Sequence, residues 1–124
     1  MGWRNPLEVS EFEIQALGFF NLKETYKNVR GEFHFKKDGK QAARFDLVLL
    51  NDNNELEVIL EIKSKHTDKN MKQLLKYKAL TGKPALYIKG EAQAKFICSL
   101  VRSYLRKEGL IELDNSLRKI VPES

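Results

Sequence analysis

The sequence predicts one α/β domain over its 124 residues, a small mixed central sheet flanked by helices in the order αβββαβα. Three observations carry that expectation. Apolar residues recur with helical spacing at both ends of the chain and with strand spacing between them. Turn-forming clusters, Lys37-Asp38-Gly39-Lys40 and Asn51-Asp52-Asn53-Asn54, divide the middle of the chain into strands. A lysine-rich helical segment then separates the third strand from a fourth.

Taken in order, residues 7–26 read as a helix, because Val9, Phe12, Ala16, Leu17, Phe19 and Phe20 gather on one face at 100° per residue. Gly31 punctuates the chain, and Glu32-Phe33-His34-Phe35-Lys36 alternates like a strand. After the hairpin turn, Arg44 to Leu50 is apolar enough for an interior strand, and Glu55 to Lys63 is a second long one rich in β-branched residues. Residues 68–81 suit a helix ended by Gly82 with Pro84 beyond, 84–89 a short strand closed by Gly90, and 91–108 a last helix stopped by Gly109. The last helix carries Phe96, Ile97, Leu100, Val101, Tyr104 and Leu105. The domain is expected to span 1–124 with its core at about 8–108, and the tail after Asn115 is expected to be loose.

Composition narrows the function classes. With 42% hydrophobic and 31% charged residues and no apolar run near a membrane span, the chain reads as a soluble cytoplasmic protein without a membrane partner. A single cysteine, Cys98, excludes a disulfide framework, a four-cysteine zinc site and an iron–sulfur cluster within one chain, and its neighbours make it a buried, inert thiol. His34 and His66 lack the partners of a zinc site, and no phosphate-binding or dinucleotide glycine motif is present. The net charge of +5 is uneven: between Lys63 and Lys83 seven lysines face one acid, Asp68, while the remainder is almost neutral. That stripe fits a polyanion, with nucleic acid the usual candidate, and reads equally well as a solvated helix face.

Three charged residues sit where charge is costly. Strand alternation turns Glu57, Ile59, Glu61 and Lys63 to one face, while Leu56, Val58, Leu60 and Ile62 turn to the other. Asp46 shares its face with Val48 and Leu50 on the preceding strand. By itself, Glu61-x-Lys63 reads better as an edge-strand charge pair, with Asp46 a strand cap. The three together, near the ends of two apolar strands, need a reason to gather, and a divalent cation supplies one.

Asp46 followed by Glu61-Ile62-Lys63 on consecutive strands resembles the D…(D/E)-x-K signature of the PD-(D/E)xK nucleases. Gln73-Leu74-Leu75-Lys76-Tyr77 is similar to the Q-h-x-x-Y motif on the next helix of the RecB-type and type I restriction-subunit members. The resemblance covers about residues 8–90; Phe45 stands where the family's proline would be. It implies a restriction-endonuclease-like αβββαβ core and hydrolysis of DNA with Mg²⁺, for which Mn²⁺ substitutes. Asp46, Glu61 and the backbone carbonyl of Ile62 would hold the metal, and Lys63 would be the catalytic lysine. Members often add an acid from the first helix. Helical phase favours Glu13, inside the expected apolar face, over Glu11, about 160° away. Gln73 and Tyr77, four apart on one helix face, would support Lys63 or touch nucleic acid. Lys65, Lys69, Lys72 and Lys76 would contact phosphates without reading bases.

The sequence therefore points to a metal-dependent deoxyribonuclease. A non-catalytic nucleic-acid-binding module of the same fold, a nuclease subunit needing a helicase or other partner chain, and an assembly domain meeting an acidic protein are the rivals. One such core has one active centre, so cutting both strands of a duplex calls for a homodimer or a second encounter.

Overall fold

The structure is a computed structural model and describes residues 10–63 and 68–120, with side chains from residue 71 onward in the second segment. The elements run α1 (Glu11–Thr25), β1 (Val29–Lys37), β2 (Lys40–Leu50), β3 (Leu56–Lys63), α2 (Asp68–Thr81), β4 (Ala85–Lys89), α3 (Gly90–Lys95), α4 (Ile97–Lys107) and α5 (Ile111–Leu117). The sheet order is β1-β2-β3-β4. The first three strands are antiparallel, and β4 pairs parallel to β3 through the α2 crossover. This is the mixed α/β architecture expected, and no helix among the described residues is long and apolar enough to cross a membrane.

Strand alternation divides the core into two layers. Leu47, Leu49, Val58, Leu60, Ile62 and Ile88 meet α1, α4 and α5 on one face of the sheet. Val48, Leu50, Ile59 and Ala85 meet Leu74 and Tyr77 of α2 on the other. The β1–β2 turn places Asp38 at φ 54° and Gly39 at φ 77°, the two left-handed positions of a tight hairpin. β3 is an interior strand, which removes the reading of Glu61 and Lys63 as edge-strand charges.

The buried face of α1 differs from the expected one. Ile14, Gly18 and Leu22, four residues apart, form the contact line, while Phe12 is 76% and Phe20 66% exposed. Gly18 explains the rotation. A Cβ there would stand 3.1 Å from Ile97 Cδ1 and 3.3 Å from a Leu47 methyl, so the helix lies against β2 and α4 at this glycine. Sequence reading counts glycine as apolarly neutral and cannot see this approach. Ile97 and Leu47 are fully buried and cannot yield cheaply, so Gly18→Ala should destabilise the fold by about 1 kcal/mol despite alanine's better helix propensity. A thermal melt of the variant above that of the wild type would contradict this packing.

Two further expectations change at the C-terminal end. The single last helix breaks at Phe96 (φ −111°, ψ 25°), which leaves α3 and α4 as separate segments and Phe96 exposed. The chain beyond Asn115 is tied down as far as Lys119: Leu117 is buried, Arg118 forms a β-bridge with Tyr26, and the Lys119 N–H donates to the Thr25 carbonyl. Val9, part of the expected α1 face, and His66 lie outside the described residues. Cys98 is half-buried; its thiol donates to the Asn21 carbonyl at 3.3 Å, and burial pushes its pKa up.

Candidate active site

The β2–β3 ladder ends at Leu47↔Leu60. One residue further, backbone pairing gives way to side chains. Glu61 Oε1 accepts from the Asp46 N–H at 3.1 Å, and Asp46 Oδ2 accepts from the Ile62 N–H at 2.9 Å. Each carboxylate thus grips the main chain of the opposite strand where the strands part. These bonds fix both side chains on rigid elements, as a preorganised site requires.

The pair is electrostatically strained. Glu61 is 4% exposed, and Asp46 is half-buried beside it. Burial, and then the negative charge of Asp46, push the Glu61 pKa from 4.5 up to about 8. Lys63 lies two residues on, half-buried on the same face, and its charge opposes the shift. Two crowded carboxylates in a sheltered place present hard oxygen donors, and a divalent cation would relieve both their burial and their repulsion. By that chemistry the residues fit Mg²⁺.

α2 roofs this region. The Tyr77 ring meets Phe45, the residue before Asp46, at 4.8 Å between centroids in an edge-on contact. Gln73 Nε2 donates to the Tyr77 hydroxyl at 3.0 Å, so the two members of the helix motif are bonded to each other. Burial raises the Tyr77 pKa, and the charges of Glu61 and Asp46 add to it. Tyr77 is therefore both a core residue and a neighbour of the carboxylates.

Parallel pairing adds two residues that the sequence reading did not single out. Tyr87 stands beside Glu61 and Lys89 beside Lys63. The Tyr87 hydroxyl is buried, and burial followed by the Glu61 charge raises its pKa. The alternation of Pro84-Ala-Leu-Tyr-Ile-Lys89 was the available signal, but it needed the parallel register to be read.

Glu13 is not brought to this pair. It is exposed on α1, and no group of three His, Cys, Asp or Glu residues able to hold a metal occurs among the described residues. Its selection rested on the Phe12–Phe20 face, which the Gly18 contact displaces. Lys72 and Lys76 are exposed on α2, whereas Lys65 and the side chain of Lys69 lie outside the described residues. Lys78 instead covers the Tyr104 ring at 5.3 Å, and Lys83 is ion-paired to Glu57 at 3.0 Å, so part of the lysine stripe is used inside the fold. Comparison with protein-family models, curated proteins and solved structures finds no match to this chain.

Proposed function

We propose that this protein is a Mg²⁺-dependent nuclease that hydrolyses phosphodiester bonds in DNA. The observation that carries the reading is the strained Asp46–Glu61 pair, gripped at the parting of β2 and β3 with Lys63 alongside. A fold has little use for two acids so placed, since each desolvated charge costs stability. A phosphate-binding module has less, because the acids repel its ligand.

Asp46 and Glu61 would hold the metal from two strands, with the Ile62 carbonyl next in sequence to Glu61. When bound, Mg²⁺ supplies charge neutralisation at the scissile phosphate and makes water more acidic. Lys63 orients the attacking water and stabilises negative charge growing on the phosphate oxygens. Gln73 holds the Tyr77 hydroxyl, and Tyr77 with Phe45 closes the apolar wall behind the carboxylates. Lys72 and Lys76 contribute attraction for the phosphate backbone from the exposed side of α2.

The test is incubation with linear, nicked, branched and single-stranded DNA in Mg²⁺, Mn²⁺ or EDTA. Cleavage should require metal, and Lys63→Ala should slow it by roughly 100-fold or more without changing the melting temperature appreciably. Cleavage that survives EDTA, or that Lys63→Ala leaves intact, would defeat the assignment. Failure of the folded wild type to cut any substrate while still binding DNA would favour the non-catalytic module or the partner-dependent subunit.

A further inference from the structure

The β1–β2 hairpin is longer than the sheet that supports it. Its pairing runs from Val29↔Leu49 to Lys37↔Lys40, whereas β3 accompanies β2 only from Leu50 back to Leu47. From Asp46 to the turn, the hairpin is a two-stranded ribbon with no third strand among the described residues, about 20 Å long at ~3.4 Å per residue. Its root is the candidate site.

The two faces of this ribbon differ. Phe33, Phe35 and Ala43 are half-buried against Phe45, with the Phe35 and Phe45 rings 6.0 Å apart, and Phe45 in turn meets Tyr77 of α2. That face anchors the ribbon. The opposite face and the tip carry Lys36, Lys37, Lys40 and Arg44 against two acids, Glu32 and Asp38, and all six are exposed. Arg44 is tied to Glu32 at 3.2 Å. Lys36, Lys37 and Lys40 have no ion-pair partner among the described residues. Three uncompensated ammonium groups on a rigid, exposed arm beside a phosphodiester site call for a polyanion. A two-stranded ribbon also has the cross-section that the major groove of a duplex admits.

We propose that this ribbon is a docking arm for duplex DNA, with Lys36, Lys37 and Lys40 contacting phosphates about 20 Å along the duplex from the bond held at Asp46 and Glu61. The inference rests on the nuclease reading and adds to it the form of the substrate. The arm and the exposed face of α2 both adjoin the carboxylate pair, so a duplex crossing the site is held on two sides. The arm's contacts are to backbone and set position rather than sequence.

The experiment is fluorescence anisotropy of a labelled 30-base-pair duplex and a single strand of the same length, in Ca²⁺ at 0.05 to 0.3 M salt (all about these values, chosen for measurable binding). The triple variant Lys36→Ala/Lys37→Ala/Lys40→Ala is compared with wild type and with Lys107→Ala/Lys119→Ala, two exposed lysines on other parts of the chain. The arm variant should bind duplex about 10- to 100-fold more weakly, and the slope of log affinity against log salt should shrink by about 2 to 3, close to 0.9 per lost phosphate contact. Its melting temperature should match wild type because the three side chains are solvated. Duplex binding with the wild-type slope would overturn the arm while leaving the nuclease reading in place. Equal weakening on the single strand would overturn the duplex assignment. Wild type that binds neither nucleic acid would remove the arm and the nuclease reading together.

Discussion

Asp46→Asn and Glu61→Gln should each reduce metal-dependent cleavage by roughly 10³-fold, and each should make the metal-free protein more stable at pH 8. The two effects have one origin. Glu61 has an ordinary pKa of 4.5 and is held up at about 8 in the fold, first by burial and then by Asp46. The folded chain therefore binds this proton more tightly than the unfolded chain. Stability from this source is fully present below about pH 4.5 and is lost as pH rises through about 8. At ~1.4 kcal/mol per pKa unit, the loss is on the order of 5 kcal/mol.

Both substitutions keep the hydrogen bonds that matter for shape. After Glu61→Gln, the new amide oxygen still accepts from the Asp46 N–H. After Asp46→Asn, the amide oxygen on β2 still accepts from the Ile62 N–H, and in both variants only the charge is gone. Thermal melts in EDTA from pH 5 to pH 9 (about the span of the shift) should fall with pH for wild type and stay nearly level for Glu61→Gln. Added Mg²⁺ should raise the wild-type melt at pH 8 and leave both variants where they are. A wild-type profile as level as that of Glu61→Gln would show that the pair stores no strain and would remove the main support for a metal site.

The carboxylate pair was legible in the sequence because alternation along β3 puts Glu61 on the face of Ile59, and the short Asn51–Asn54 turn brings that strand against the one that carries Asp46. The α2 boundaries were legible for a similar reason, since Gly82 and Pro84 mark the end sharply. The orientation of α1 was not. Its aromatic residues outnumber its aliphatic ones on one side, yet the close approach permitted by Gly18 decides which side is buried. Tyr87 and Lys89 escaped because their place depends on the parallel register of β3 and β4, which no local pattern encodes. The free length of the hairpin was hidden likewise: strand lengths can be read from sequence, but where a third strand stops pairing depends on the fold.

Asp114 is the strongest case of a residue that local sequence gives no reason to notice, and its removal should have the largest effect on stability. It is 0% exposed on α5. Its Oδ2 receives Arg102 Nη1 at 3.0 Å and Arg118 Nε at 2.7 Å, while Oδ1 receives the Tyr26 hydroxyl. Around this carboxylate the C-terminal segment is laced to the end of α1, by Lys27 N–H to the Leu117 carbonyl at 3.0 Å and Lys119 N–H to the Thr25 carbonyl at 2.8 Å. Burial and then the bond to Asp114 push the Tyr26 pKa up, so the phenol stays neutral and acts as a donor at any ordinary pH.

Asp114→Ala takes the carboxylate away from two guanidinium groups and a buried hydroxyl and leaves the arginines only the longer bonds to Asn115 Oδ1, the Tyr26 hydroxyl oxygen and the Cys98 carbonyl, which should cost about 3–5 kcal/mol. In a domain whose whole stability is about 5–15 kcal/mol, the melting temperature should fall by roughly 10–20 °C. Tyr26→Phe removes the bond the phenol donates to Asp114 and the one it accepts from Arg118 Nη2, and leaves Asp114 paired with both arginines, so its loss should be about 1–2 kcal/mol. The double variant should lose less than the two singles added together, because the phenol has no acceptor left once Asp114 is gone. The network lies on the α1 side of the sheet and the carboxylate pair faces α2. Below its melting temperature, then, Asp114→Ala should cleave DNA at close to the wild-type rate. A tenfold loss of cleavage in the still-folded variant would mean that the two faces of the sheet are coupled, and that the site depends on the packing of α1 and α5 as well as on the strands that carry it.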